Sequence, residues 1–230
     1  MRIDLLSAVP ELLSGPLDHS IVGRARNAGK IEIVIHDLRK FSNDKHRKVD
    51  DYPFGGGAGL VMTPQPVFDA VEELHSGREY DEVIFPTPDA PVLNQEMVNR
   101  LSLKKNLIIL CGHYKGVDQR IRDELVTFEA SIGDYVLSGG ELPAMVMVDS
   151  LVRLLPGVIG DAGSALGDSF QNELLSPPVY TRPAKFRGLD VPEVLRSGNH
   201  QRIEAWREEE AKKITRKKRP DLYQNFLQKT

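Results

Sequence analysis

The chain has 230 residues, enough for one large domain or two smaller ones with a sizeable core. Hydrophobic residues make up 40% and charged residues 27%, as in soluble globular proteins, and no apolar run approaches the roughly 18–20 residues of a membrane span. The single cysteine, Cys111, excludes intrachain disulfides and zinc clusters and favours a cytoplasmic setting, while a net charge of −3 means that a nucleic-acid partner would need local basic patches.

In chain order, "IDLLSAV" (3–9) predicts a strand rather than a secretory signal, and "SIVGRARNAG" (20–29) a helix. "IEIVIHDL" (31–38) predicts a second strand. A long loop follows, "FSNDKHRKVDDYPFGGGAG", with Lys45, His46, Arg47 and Lys48 near its start. "PQPVFDAVEELHSG" (64–77) opens on proline, carries apolar residues at helical spacing and stops at glycine. "DEVIFP" (81–86) predicts a strand, "NQEMVNRLSL" (94–103) an Asn-capped helix, and "NLIILCG" (106–112) a strand buried on both faces. Helices are expected at 118–126 and 142–157. This alternation predicts an α/β fold, a mainly parallel sheet with helices on both faces.

Past Gly157 the character changes. Residues 160–172 are glycine-rich and polar and read as a flexible linker between a domain at 1–159 and a small helical one at 173–230. The charged end contains "EEEAKK", which reads as a solvated helix face with Glu–Lys pairs, and "RKKR", which suits RNA contact as well as it suits solvent.

In an open parallel sheet, ligands bind at loops beyond the carboxyl ends of strands. Three such loops stand out: "FPTPDAP", "CGHYKG" and "SIGDYVLSGGE". The last opens a helix like a phosphate loop, yet carries Asp134 and Glu141 where a phosphate would want cations. No G-x-G-x-x-G, Walker A, G-x-S-x-G or H-E-x-x-H pattern is present. Cys111 ends a buried-looking strand, and a core role suits it better than a reactive one.

Together, "CGHYKGVDQR", "SIGDYVLSGGELPAM", "PGVIG…DSF…LLSPPVYTRP", "HRKVDDYPFGGGAGLVM" and "VPEVLRSGNHQRIEAWR" closely resemble the bacterial tRNA (guanine-N(1)-)-methyltransferases, the TrmD family of the SPOUT superfamily. The resemblance runs from Met1 to about Arg207 in family order and spacing. It implies a SPOUT fold with a deep trefoil knot near residues 85–140, and a helical C-terminal domain that binds tRNA. It implies a homodimer with composite active sites. It also implies methylation of the guanine just 3′ of the anticodon (position 37), which prevents frameshifting.

By the same resemblance the methyl donor is S-adenosylmethionine, held by Phe85, Pro86, Pro88, Gly112, Tyr114, Ile132, Gly133, Tyr135, Leu137, Gly139, Gly140 and Pro143. Asp168 matches the general base, and Arg153 the arginine that assists at the guanine carbonyl oxygen. From composition alone, Asp168 reads as a solvated linker carboxylate and Arg153 as a cation closing a helix. RNA contacts are expected from Lys45, His46, Arg47, Arg182, Lys185, His200 and Arg202. Lys115 stands where many members carry a glutamate linked to magnesium and to the cofactor's charged end. A charged lysine repels a sulfonium and binds no metal, which leaves Mg²⁺ dependence open, with Asp118 and Glu141 as alternative acids.

Two rival readings remain: a SPOUT enzyme acting on another RNA position, and a catalytically silent RNA-binding module. Asp168 in "GDSF" and the C-terminal domain speak against the first; intact Asp168, Arg153 and cofactor loops speak against the second. A nucleotide-dependent oxidoreductase fails for want of a phosphate-binding fingerprint.

Overall fold

The structure is a computed structural model that describes residues 1–159, 169–170 and 173–229. The expected linker at 160–172, apart from Ser169 and Phe170, lies outside the described residues, and Asp168 with it. The chain divides into two units, Met1–Gly160 and Asp161–Thr230.

The first unit is built on a five-stranded parallel sheet. Its strands are β1 (Arg2–Ser7), β2 (Glu32–Asp37), β5 (Glu82–Pro86), β6 (Asn106–Leu110) and β7 (Phe128–Ala130), in the order β2-β1-β6-β5-β7. The antiparallel pair β3 (Asp50–Asp51) and β4 (Val61–Met62) forms a separate ribbon. Helices are α1 (Ser20–Asn27), α2 (Pro64–Gly77), α3 (Gln95–Ser102), α4 (Gln119–Glu124) and α5 (Glu141–Val152).

Alternation along the strands splits the core into two layers. Leu107 and Ile109 of β6 pack with Ile3, Leu5 and residues of α1, α3 and α5. Ile108 and Leu110 face the other way, toward Leu6, Val67 and Val71 of α2 and Ile121 of α4. A parallel sheet covered on both faces is what the near-continuous apolar run at 106–112 requires.

Local signals account for most boundaries. Proline opens α2 at its first turn. The Asn94 side chain accepts from the Met97 amide at 2.9 Å, and Asp118 from the Arg120 amide at 3.0 Å. The helix expected at 142–157 stops at Val152, because the next amides, of Leu154 and Leu155, bond back only three residues, to Leu151 and Val152.

Three short pairings have no counterpart in the sequence reading: β7, the β3–β4 ribbon, and a hairpin in the second unit. That hairpin pairs β8 (Lys185–Phe186) with β9 (Leu189–Asp190) around Arg187 and Gly188, both at positive φ. The second unit is therefore not purely helical. Its helices are α6 (Glu193–Arg196), α7 (His200–Lys218) and α8 (Pro220–Lys229). The expected Glu–Lys pairing is present on α7, as Glu208–Lys212 and Glu210–Lys213. Thr215 is buried, donates to the Ala211 carbonyl at 2.7 Å and accepts from the Leu175 amide at 2.8 Å.

One charge sits inside the sheet. Asp4 of β1 is fully buried, with Arg2 Nε at 2.7 Å, His36 Nε2 at 2.7 Å and the Tyr80 hydroxyl at 2.7 Å. Burial alone would raise its pKa, but the hydrogen bonds outweigh burial and hold it at about 2. Burial, then Asp4 itself, pushes the Tyr80 phenol up to about 12. A folded pKa below the unfolded value gives stability that is whole above the unfolded value and fades as pH falls through the folded one. Asp4→Asn is therefore expected to cost about 2 kcal/mol near neutral pH. In urea melts, the gap to the parent protein should narrow below pH 4 and close near pH 2.

Candidate cofactor cavity at the strand ends

The carboxyl ends of β5, β6 and β7 release three loops, and these enclose a cavity of about 310 Å³. The size suits a small organic ligand. Its position follows from the topology: the three strands are neighbours, so their loops converge.

Backbone contacts lock the loops together. The Gly140 amide donates to the Gly112 carbonyl at 2.7 Å, and His113 forms an isolated antiparallel bridge with Gly139. The Leu93 amide donates to the Ser131 carbonyl at 2.7 Å, and the Ser131 amide to the Pro91 carbonyl at 2.9 Å. The glycines matter through what a side chain would strike. A Cβ on Gly140 would lie 2.8 Å from the Gly112 nitrogen and 2.9 Å from the Cys111 Cα. A Cβ on Gly112 would lie 2.8 Å from the Phe85 ring.

Ten of the twelve residues expected to hold the cofactor line the cavity: Phe85, Pro88, Gly112, Tyr114, Ile132, Gly133, Tyr135, Leu137, Gly139 and Pro143. Pro86 and Gly140 do not: Pro86 pairs with Ala130 inside the sheet, and Gly140 acts from behind by holding the loops in contact. Thr87, Asp89, His113, Lys115 and Arg122 also line the cavity. The sequence reading assigned no contact to Thr87, Asp89, His113 or Arg122. Only three-dimensional pairing brings Arg122 of α4 beside the loop after β5.

Arg122 ties this wall together. It binds Glu129 through Nε and Nη2 at 2.7 and 2.9 Å, reaches Asp89 through Nη1 at 2.9 Å, and lies over the Phe85 ring at 5.6 Å. The Thr87 hydroxyl and then Arg122 hold the Asp89 carboxyl below its usual range.

Behind the cavity, Glu141 is buried at the first turn of α5. Its Oε1 accepts from the Ser7 hydroxyl at 2.7 Å. Among the described residues its Oε2 and His113 Nδ1 have no hydrogen-bond partner, and they lie 3.6 Å apart. Neither of the acids offered in place of the missing glutamate lines the cavity. Asp118 caps α4 and binds Arg120, and Glu141 faces Ser7 and His113; the acid in the lining is Asp89. Among the described residues no three His, Cys, Asp or Glu side chains are grouped to hold a metal.

Cys111 is fully buried, and burial pushes its thiol pKa well up, which fits the core role expected of it. Arg153 follows the last turn of α5, is exposed, and lies outside the cavity lining. Lys45, His46 and Arg47 are exposed on a turn closed by Asp44, whose carboxylate accepts from the His46 and Lys48 amides at 2.7 and 3.3 Å. In the second unit Arg182, Lys185, His200 and Arg202 are all exposed.

A parallel α/β sheet with a backbone-walled cavity at adjoining strand ends defines a small-molecule-binding domain of the α/β class. The sequence profile of one family, described as tRNA (Guanine-1)-methyltransferase TrmD, matches residues 1–225. A tRNA (guanine-N(1)-)-methyltransferase of Flavobacterium psychrophilum is 57% identical over 225 residues, 98% of this chain and 100% of that one. Proteins with the same name from Chlorobaculum tepidum and Bacteroides thetaiotaomicron are each 54% identical, covering 96% and 98% of this chain and 96% and 100% of their own. The chain belongs to the TrmD family, whose fold is SPOUT.

Gly140→Ala is expected to cost about 2 kcal/mol, because the new Cβ meets backbone atoms that cannot swing aside. A thermal melt of the variant at or above the parent's midpoint would contradict this close packing.

Proposed function

We propose that this protein transfers a methyl group to N1 of guanine in tRNA, at the guanine immediately 3′ of the anticodon. The observation that carries the reading is the cavity, walled by the family's glycine loops in a chain matched end to end by relatives of that activity. S-adenosylmethionine, when bound there, supplies a methyl group activated by its sulfonium. The residues suit such a ligand. The lining combines apolar side chains, Ile132, Leu137 and Pro143, with backbone groups that side-chain-free Gly112, Gly133 and Gly139 leave accessible.

Guanine N1 bears a proton at neutral pH, so a base must remove it before the nitrogen attacks. We assign that role to Asp168, and to Arg153 the stabilisation of charge that grows on the carbonyl oxygen. Arg153 lies outside the lining of its own cavity, and Leu142 and Val146 on α5 are 54% and 50% exposed. An exposed apolar face beside a catalytic arginine supports a homodimer in which each site takes residues from both chains. The tRNA reading draws on the exposed Lys45, His46 and Arg47, near Tyr52 at 79% and Phe54 at 101% exposure, a mixture of cations and aromatic rings suited to single-stranded bases. No helix among the described residues is long and apolar enough to cross a membrane.

Incubating an unmodified tRNA transcript with the protein and S-adenosylmethionine, then mapping the modified base, tests the function. Product at another position would point to a different SPOUT substrate. In single turnover, Asp168→Asn is expected to lose about 100-fold or more while calorimetry still shows cofactor binding. A loss under about tenfold would remove Asp168 from the role of base.

The shared site has its own test. Gly140→Val and Asp168→Asn proteins should each be inactive, and a purified mixed dimer of the two should regain activity. If the mixed dimer stays inactive while a parent/Asp168→Asn dimer works, each base serves its own chain.

A further inference from the structure

We infer that Lys115 is the anchor for the carboxylate of the cofactor's amino-acid tail. The inference rests on the reading of the cavity as an S-adenosylmethionine site.

The charged side chains that line the cavity are Asp89, Lys115 and Arg122. Two of them are committed to each other and to the protein. Arg122 spends Nε and Nη2 on Glu129 and Nη1 on Asp89. Asp89 has one oxygen on the Thr87 hydroxyl and the other on Arg122. Arg122 keeps one N–H on each Nη, but its charge is already matched by two carboxylates, so an anion gains less there than at a cation with no carboxylate beside it. Among the described residues of the lining, Lys115 is the cation whose charge no neighbouring carboxylate already matches.

Its place is well defined for an exposed lysine. The Lys115 amide donates to the Leu60 carbonyl at 3.0 Å. Its stem lies flat along Gly59, where a Cβ would come within 2.9 Å of Cγ, 3.0 Å of Cδ and 3.3 Å of Cε. Its two chain neighbours, Tyr114 at φ +61 and Gly116 at φ +136, both adopt left-handed backbone. A stem laid along backbone has less rotamer freedom to lose when the head group takes a partner.

The ligand's own charges sort themselves against this arrangement. S-adenosylmethionine carries a sulfonium, an ammonium and one carboxylate. Lys115 repels the first two, and of the three charged groups the carboxylate is the one it attracts. The lysine thus fixes which end of the ligand lies at its rim, and it does so by a contact that needs no metal.

The test uses two ligands that differ in the tail alone. S-adenosylhomocysteine has the amino-acid carboxylate, and 5′-deoxy-5′-methylthioadenosine lacks the whole amino acid. Calorimetry on the full chain should show Lys115→Met weakening S-adenosylhomocysteine about tenfold, as expected for one lost bond to a charged group. Affinity for methylthioadenosine should stay within about twofold. Lys115→Arg should restore most of the loss, and Lys115→Glu should exceed that of Lys115→Met. Equal weakening of both ligands would mean that Lys115 only supports the rim, and overturns the inference, as does unchanged affinity for S-adenosylhomocysteine. If the parent protein binds neither ligand, the cofactor reading fails and takes the inference with it. If the parent binds both and Lys115→Met shows no preference, the inference alone fails.

Discussion

The cavity depends on one close approach of backbone to backbone. Gly140 sits against Cys111 and Gly112 so tightly that no side chain fits between, and its amide closes a 2.7 Å bond to the Gly112 carbonyl. That contact joins the loop after β6 to the loop before α5. It also sets where α5 begins, because Glu141 is the first residue of the helix and reaches Ser7 at the carboxyl end of β1. Three chain segments far apart in sequence therefore meet within a few atoms. Substituting any of them moves the wall of the site, although Ser7, Cys111, Gly140 and Glu141 do not line it.

Charge is handled differently at the two levels of the sheet. Lower in β1, Asp4 is buried and ionised because three donors surround it, and such a group is costly to disturb. At the carboxyl ends, Glu129, Arg122 and Asp89 form a chain of opposite charges along the cavity wall that is half open to solvent. The first arrangement holds strands together. The second fixes the shape of a rim: two carboxylates share one guanidinium, so the triad keeps one net negative charge, and Lys115 is the other cation in the lining.

Much of this was legible in the sequence because each signal was local. Proline and glycine bracket α2 at both ends, and Asn94 marks the start of α3. The apolar run of β6 demanded a sheet covered on both faces. The three ligand-like loops were identifiable because strand ends next to one another converge. What escaped had no local signature. β7 is three residues long and its middle residue, Glu129, is charged, being stabilised by Arg122 rather than by burial. The β8–β9 turn uses Arg-Gly in place of the more telling Asn-Gly or Asp-Gly. Asp89 and His113 lie in two of the three ligand-like loops but were given no role, whereas Arg122, on α4, enters the lining through tertiary pairing that no spacing rule within its own segment could reveal. The crossing of the sheet order, with β6 inserted between β1 and β5, is likewise a property of topology alone.

The same pairing joins the basic loop to the cavity. The Lys115 amide bonds to Leu60, the Met62 amide to Gly116 and the Asp118 amide to Met62, so residues 60–62 run beside residues 115–118. The Thr63 amide bonds in turn to Val49, just past the exposed cations at 45–48. The stretch from Ser42 to Thr63 is thus no free loop. It leaves the sheet, turns on Asp44, passes Gly55, Gly56 and Gly57 at positive φ, and returns to the rim that Lys115 occupies. Two ordered stems with a glycine-rich span between them let the tip of this segment adapt while its base stays registered to the cavity. A small molecule held at the rim and a polymer met by the tip would then be read by one continuous piece of chain. The hydrogen bond from the Lys115 amide to the Leu60 carbonyl ties the rim of the cavity directly to the base of this segment.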